Sequence, residues 1–278
     1  MEFRNSRGLG ARFEYLEQAG STNDVLVTRA TGSDADAWPH LSVIVTDNQT
    51  SGRGRLGRSW LAPSGKSLAI SVLLRPRLPG GDLPVNRFGW FPLLAGAAMT
   101  RAVRQVLDAA AGPTEPGDEV SRHAVTLKWP NDVLIDGYKV SGILSELLPD
   151  LTGLCIGAGL NLALDEHDLP TLTSTSLLLV TGSAPDPDAV LAAYLTELGA
   201  LTADFLAAGA DPVASGLHAV VSELCGTIGT LVRVEMPGGH DLVGTAVGLD
   251  PDGRLIVEDQ ATGEASAVAA GDVTHLRH

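Results

Sequence analysis

The chain has 278 residues, 44% of them hydrophobic and 19% charged, a length and balance that suit one sizeable core with a smaller appended module. Its formal net charge of −14 excludes a broad nucleic-acid surface, which needs clustered Lys and Arg, and its longest apolar runs read as too broken to span a membrane. The charges at Glu2, Arg4, Arg7, Arg12, Glu14 and Glu17 interrupt any signal-peptide core, so a cytoplasmic protein with no membrane attachment is the expectation.

Ser21-Thr22-Asn23 stands where a helix N-cap would, ahead of Val25 to Ala30. Ser42 to Thr46 is a β-branched run that reads as a buried strand, and Ser67 to Leu74 as a second strand able to pair with it. From Trp90 to Leu107 the apolar positions recur at helical spacing. Ala111 to Arg122 reads as a Gly/Pro/Glu-rich loop. Val125 to Trp129 is a strand stopped by Pro130, Val133-Leu134-Ile135 continues it, and Asp136-Gly137 marks a tight hairpin. Lys139 to Leu148 and Gly153 to Leu162 complete an antiparallel set, and Asp188 to Phe205 is helical. Beyond Cys225 the texture changes to short strands at 231–234, 242–249 and 255–257, parted by Pro237-Gly238-Gly239 and Asp250-Pro251-Asp252-Gly253, the pattern of a small β barrel. The division falls near residue 222, giving 1–222 and 223–278.

Between the first two strands lies Gly52-Arg53-Gly54-Arg55-Leu56-Gly57-Arg58, three arginines in six residues separated by glycines. Glycine lets backbone N–H groups approach a ligand, and guanidinium forks suit phosphate and carboxylate oxygens. In an acidic chain with only three lysines, Lys66, Lys128 and Lys139, such a cluster points to an anion site. Like charges on flexible linkages should also keep the loop disordered until a ligand orders it. Lys128, Asn131 and Asp132 gather at one strand end around Pro130, where Asp132 is read as a Mg²⁺ ligand or as the acceptor of a proton. Cys155 and Cys225 have apolar neighbours and read as buried thiols. The seven histidines lack metal-site spacing, and no Gly-x-Ser-x-Gly element suggests a hydrolase.

Five blocks carry a resemblance to the biotin protein ligases: Gly20 to Asn23, Gln49 to Trp60, Leu127 to Val133, Lys139 to Leu144, and Gly157 to Asn161, in the family's order. The resemblance implies an α+β fold with a mixed, mostly antiparallel sheet and flanking helices. That is the biotin–lipoate ligase catalytic domain, like that of class II aminoacyl-tRNA synthetases, with a small C-terminal SH3-like β barrel. It implies activation of biotin by ATP and Mg²⁺ to biotinyl-5′-AMP, then transfer to a lysine of the biotin carboxyl carrier domain of an acyl-CoA carboxylase. By resemblance Lys139, Arg55, Lys128 and Asp132 are catalytic. Ser21, Thr22, Asn23 and Gln49 meet the ureido end of biotin; Gly52, Arg53, Gly54, Arg55, Arg58, Trp60, Lys139, Gly142, Asn131 and Asn161 complete the binding set. A lipoate ligase is the nearest rival, and that family lacks the Gly/Arg loop. A DNA-binding repressor needs an N-terminal winged helix, for which about twenty residues before Ser21 are too few. No DNA partner and a monomer or weak homodimer are therefore expected.

Overall fold

The computed structural model describes residues 1–111, 123–236, 241–269 and 271–276. The expected loop at 112–122 and the turn at Pro237-Gly238-Gly239 lie outside them. In chain order the elements are β1 (Arg12–Tyr15), α1 (Thr22–Thr31), β2 (Ser42–Thr46), β3 (Gln49–Arg53), β4 (Ser59–Ala62), β5 (Ser67–Leu74) and α2 (Trp90–Ala111). There follow β6 (Val125–Lys128), β7 (Asp132–Ile135), β8 (Tyr138–Leu147), β9 (Leu154–Asn161), α3 (Leu177–Thr181), α4 (Pro187–Ala207) and α5 (Leu217–Leu224). The chain ends in β10 (Leu231–Glu235), β11 (Asp241–Leu249), β12 (Leu255–Asp259), β13 (Ala265–Val268) and β14 (Asp272–His275).

The principal sheet has seven strands in the order β1-β2-β5-β9-β8-β7-β6, antiparallel throughout except for the β1–β2 edge. The mixed, mostly antiparallel sheet expected from the sequence is thus present. Alternation along the strands sorts two layers. Val43, Val45, Val72 and Leu74 face the large core with α2 and α4, whereas Ile44, Leu73 and Cys155 join Leu26 and Ala30 of α1 in a second cluster. Each fully buried Leu, Ile or Val contributes about 1.5–3 kcal/mol, so these layers hold the sheet rigid between the helices. Asp136 and Gly137 both have positive φ, 51° and 83°, as the two-residue turn between β7 and β8 requires.

By length and composition α4 is apolar enough to cross a bilayer, a run longer than the sequence reading allowed. Its Val190, Leu191, Tyr194, Leu198 and Phe205 are instead buried in the large core. At its start the Asp188 carboxylate accepts from Asn5 N (2.7 Å), Ser6 N (2.9 Å) and Ser6 Oγ (2.6 Å), pinning the N-terminal segment.

The C-terminal strands form a five-stranded antiparallel sheet in the order β13-β12-β11-β10-β14. Among the described residues β13 and β14 do not pair, so the sheet is SH3-like without the hydrogen-bonded closure of a full barrel. Only the residues between Val268 and Asp272 join these end strands, a span of at most about 14 Å, so the sheet must curl back on itself.

Candidate active site

The face of the seven-stranded sheet opposite α2 carries a cavity of about 950 Å³. Its floor follows from register. Asp132 of β7 lies opposite Gly142 of β8, which lies opposite Gly159 of β9, and Leu144 opposite Gly157. Two glycines side by side leave a flat area with no Cβ, and the Trp60 indole from β4 occupies it. A Cβ on Gly159 would stand 2.2 Å from Trp60 Cε2, and one on Gly142 would stand 3.2 Å from Trp60 Cζ3 and 3.1 Å from Lys139 Nζ.

Lys139 and Gly142 are three residues apart, and strict alternation would send them to opposite faces. A register shift between the Val133 and Leu134 pairings prevents this: Val133 pairs with Ser141 and Leu134 with Lys139, leaving Val140 as an extra residue. Val140 is fully buried in the large core, and Lys139 returns to the cavity. Its Nζ lies 2.6 Å from Asp132 Oδ1 and 5.6 Å from the Trp60 ring centroid. The ammonium is thus held between a carboxylate and an aromatic face.

The Gly/Arg loop spans β3, a single 3-10 turn at Arg55–Gly57, and β4, so the expected loop is closed by a short antiparallel pair in which Gly52 lies opposite Trp60. Gly52 is not on the cavity wall. Its missing Cβ makes room for Gln49 Nε2 and Trp60 O, each of which it would meet at 2.4 Å. Arg55 Nη1 donates to Asn131 Oδ1 (3.0 Å) and Asn131 Nδ2 to Ile143 O (2.8 Å), which fixes that guanidinium against the sheet. Arg58, Gly54 and Leu56 line the same cavity, with Gly54 N donating to Arg58 O at 2.6 Å. Arg53 also lines the cavity, with its guanidinium already paired. Its fork donates to Glu146 Oε1 (2.8 Å) and Oε2 (3.0 Å), and Nη2 reaches Asp24 Oδ1 at 2.5 Å. Hydrogen bonding to Glu146, opposed by partial burial and joined by the nearby charges, holds the Arg53 guanidinium above its ordinary range. Two carboxylates already neutralise it, so mutual repulsion among the loop arginines is weaker than the sequence suggests.

At the other end of the cavity Thr22 N donates to Gln49 Oε1 (2.9 Å), which orients the Gln49 amide. Ser21 caps α1 by accepting from Asp24 N and also lines the cavity, so its capping and site positions coincide. The Asn23 amide is saturated: Oδ1 accepts from Ser71 Oγ (2.6 Å) and Cys155 Sγ (3.3 Å), and Nδ2 donates to Glu146 Oε2 (2.7 Å) and Leu144 O (3.4 Å). Both lone pairs and both hydrogens are used, so Asn23, which lines the cavity, is fixed in place by the protein itself. Burial pushes the Cys155 thiol well up, in keeping with an inert buried thiol.

Lys128 lies on the cavity wall with no ion-pair partner among the described residues. Asn161 Nδ2 donates to Thr175 O (2.9 Å), and Lys139 exchanges backbone hydrogen bonds with Thr173 and Thr175. These contacts bring Pro170, Thr171, Thr173 and Ser174 to the wall, a stretch without any sequence signal. Trp129 is 2% exposed; its N donates to Thr227 Oγ1 (3.0 Å) and its Nε1 to Gly253 O (3.0 Å). It therefore ties the C-terminal sheet to the turn that carries Asn131. That sheet closes the cavity with Thr230, Val273 and His275, and Arg55 Nη2 reaches Gly271 O at 3.4 Å.

Among the described residues the site therefore joins two ammonium groups, one carboxylate, several guanidinium groups and a polar amide–hydroxyl pocket on a flat glycine floor. Comparison with known proteins agrees with that assembly. Residues 16–161 match the Biotin/lipoate A/B protein ligase family, and residues 227–276 match the Biotin protein ligase C terminal domain. The Biotin--[acetyl-CoA-carboxylase] ligase of Mycobacterium tuberculosis is 37% identical over 97% of this chain and 92% of that protein. The Bifunctional ligase/repressor BirA of Bacillus spizizenii is 30% identical over 80% of this chain, which spans 63% of that longer relative. The biotin protein ligase of Aquifex aeolicus in complex with biotin and ATP superposes with a TM-score of 0.73 at 25% identity, covering 96% of this chain and 100% of that one. The ligase of Leishmania major in complex with biotinyl-5-AMP gives 0.61 at 26%, covering 94% and 99%. With the motif blocks, both sheets and both family models in agreement along one polypeptide, the chain belongs to the biotin protein ligase family.

Proposed function

We propose that the cavity carries out ATP-dependent biotin ligation with the division of labour that its geometry supports. The enzyme joins biotin to protein in two half-reactions. In the first, a biotin carboxylate oxygen attacks the α-phosphorus of ATP, forming biotinyl-5′-AMP and releasing pyrophosphate. In the second, the ε-amine of an acceptor lysine attacks the acyl carbonyl, AMP leaves, and the amine gives up a proton.

The observation that carries this reading is the position of Lys139 Nζ, 2.6 Å from Asp132 and 5.6 Å from the Trp60 ring, in one cavity with Arg55, Arg58 and Lys128. A carboxylate approaching a polyphosphate of the same sign needs fixed cations where the charges meet, and preorganised ones do not have to reorient as charge moves. Lys139 serves the carboxylate and the α-phosphate, and Arg55, Arg58 and Lys128 the phosphates. The amide of Gln49 and the hydroxyls of Ser21 and Thr22 suit a ureido group, which presents both donors and an acceptor.

Asp132 is the one carboxylate on the wall among the described residues, and no cluster of three or more His, Cys, Asp or Glu side chains accompanies it. That donor set fits Mg²⁺ brought by ATP, which keeps water and phosphate oxygens and takes one or two protein carboxylates. Asp132 would hold the ion, which supplies charge neutralisation at the phosphates. In the second half-reaction the same carboxylate accepts the proton of the incoming amine.

The acceptor is the biotin carboxyl carrier domain of an acyl-CoA carboxylase, handled in the cytoplasm by a monomer or weak homodimer without a DNA partner. The chain divides near residue 222, and the C-terminal sheet closes the nucleotide side of the cavity; the Arg55–Gly271 contact supports that role. The test incubates the purified protein with ATP, Mg²⁺, labelled biotin or lipoate, and a carrier domain. Biotin should be transferred; transfer of lipoate alone refutes the reading.

A further inference from the structure

Glu146 does not itself line the cavity, yet two residues that do, Arg53 and Asn23, meet on it through three hydrogen bonds. Its Oε1 accepts from Arg53 Nη1 (2.8 Å); its Oε2 accepts from Arg53 Nη2 (3.0 Å) and from Asn23 Nδ2 (2.7 Å). Arg53 ends β3, the strand that begins at Gln49, and Asn23 follows Thr22, whose N–H orients the Gln49 amide. Glu146 lies on β8, four positions along the same face from Gly142 in the cavity floor. One carboxylate of the rigid sheet therefore fixes both the first residue pair of α1 and the entrance of the Gly/Arg loop.

We propose that Glu146 is a positioning residue for biotin: through Arg53 and Asn23 it sets the spacing between Gln49 and Thr22, and so the width of the ureido pocket. This rests on the ligase reading above. The bidentate fork gives the pairing a defined plane, which a single-point contact would not. The side chains of Glu146 and Arg53 are 27% and 44% exposed, so the pair is anchored at the edge of the pocket rather than buried beneath it. Asp24 supports the same guanidinium from α1 but is 61% exposed and makes one contact, so it is the weaker partner. The phosphate side of the loop is held separately, Arg55 by Asn131 and Gly54 by the backbone of Arg58. Loss of Glu146 should therefore loosen biotin and leave ATP largely unaffected, a separation that a general loss of folding would not produce.

The experiment measures binding of labelled biotin without ATP, and KM for biotin and for ATP in adenylate formation, on the full chain and on Glu146→Gln, Arg53→Gln and the double variant. Glu146→Gln should weaken biotin about tenfold, the scale of one charge-assisted hydrogen bond, and change the ATP KM by less than about twofold. Arg53→Gln should weaken biotin by no more than that, since Asn23 keeps its bond to Glu146, and the double variant should fall short of the product of the two single losses, because the Arg53–Glu146 fork is shared. Unchanged biotin binding in Glu146→Gln, an equal rise in both KM values, or full additivity in the double variant overturns the proposal. Melting curves establish that each variant folds; if Glu146→Gln does not, Glu146→Asp, which keeps the charge and withdraws the carboxylate by one methylene, gives the same cycle with Arg53→Gln and a smaller expected loss of about threefold. If the unaltered protein binds no biotin, the ligase reading fails; if it binds and the variants bind equally, the positioning of Glu146 fails.

Discussion

Replacing Gly159 with Ala tests whether the flat floor matters to the chemistry. The added Cβ would sit 2.2 Å from Trp60 Cε2 and 2.5 Å from Cζ2 and Nε1. Carbon atoms settle at about 3.5–4.0 Å, so the ring must retreat by about 1.5 Å. Trp60 belongs to β4, which among the described residues pairs only with β3 and stands apart from the seven-stranded sheet, so it can lift without tearing the core. Ala in a strand regains about 0.5–1 kcal/mol relative to Gly, against an overpacking cost of about 1–3 kcal/mol, so the melting temperature should fall by a few degrees at most. The site responds far more. Lys139 rests on the same floor and against the displaced ring, and a misplacement of about 1 Å at a reacting centre costs about a hundredfold in rate, or about 2.7 kcal/mol. Adenylate formation, followed by pyrophosphate release at saturating biotin and ATP, should drop by about that factor. A kcat within about threefold of the parent would refute the reasoning, because it would mean that the indole's seat does not set the reacting geometry.

Lys139→Ala should abolish adenylate formation while the melting curve stays within about 1 kcal/mol of the parent, since the side chain is partly exposed; an unchanged rate refutes its assigned role. Asp188→Asn should destabilise the protein by about 1–3 kcal/mol at neutral pH, because one of two acceptor oxygens for Asn5 and Ser6 becomes a donor. Burial pushes the Asp188 carboxyl up, but the hydrogen bonds from Asn5 and Ser6 outweigh it and hold it below its ordinary value. Its stabilisation is therefore complete above the ordinary carboxylate range and lost as pH falls through the depressed value, so parent and variant should converge in acid. Divergence that persists at the lowest pH where both fold contradicts this. Hydrogen exchange should show protection gained on adding biotin and ATP at Gly54 to Arg58 more than at Arg53, which the clamp already holds; equal gains at both would show that the clamp does not restrain the loop.

The strands of the principal sheet were legible because they are buried on both faces: Ser42–Thr46 and Ser67–Leu74 are apolar runs bounded by breakers, and they pair. Asp136-Gly137 announced its turn by residue type. Arg12–Tyr15 left no such mark, for it is a short edge strand of half-buried residues held by β2 alone. The motif blocks delivered Lys139, Asp132, Asn131, Arg55 and Gln49 to one cavity. Composition was silent on which cations are already paired. Nothing in the loop's sequence marks Arg53 as paired, and only the fold brings Glu146 and Asp24, 93 and 29 residues away, to neutralise it. Asn23 read as a ligand contact, and only the fold brings Ser71, Cys155 and Glu146 to hold its amide from three separate strands or their neighbours. Trp129 read only as the end of a strand before Pro130, and it serves as a bolt between the two sheets.

The extra residue at Val140 makes spacing itself a readable signal. On a regular strand two side chains share a face only at even separations, so an odd separation between two residues that meet in one site declares an insertion between them. Lys139 and Gly142 meet at a separation of three. Removing Val140 would bring them to a separation of two and keep both on the cavity side, at the loss of one buried valine worth about 1.5–3 kcal/mol and of the added local twist. Removing Val140 and Ser141 together would instead set lysine directly before glycine and drive the ammonium into the apolar layer under α2. Parity along β8, as much as the presence of a lysine, therefore decides on which side of the sheet this chain keeps its charge.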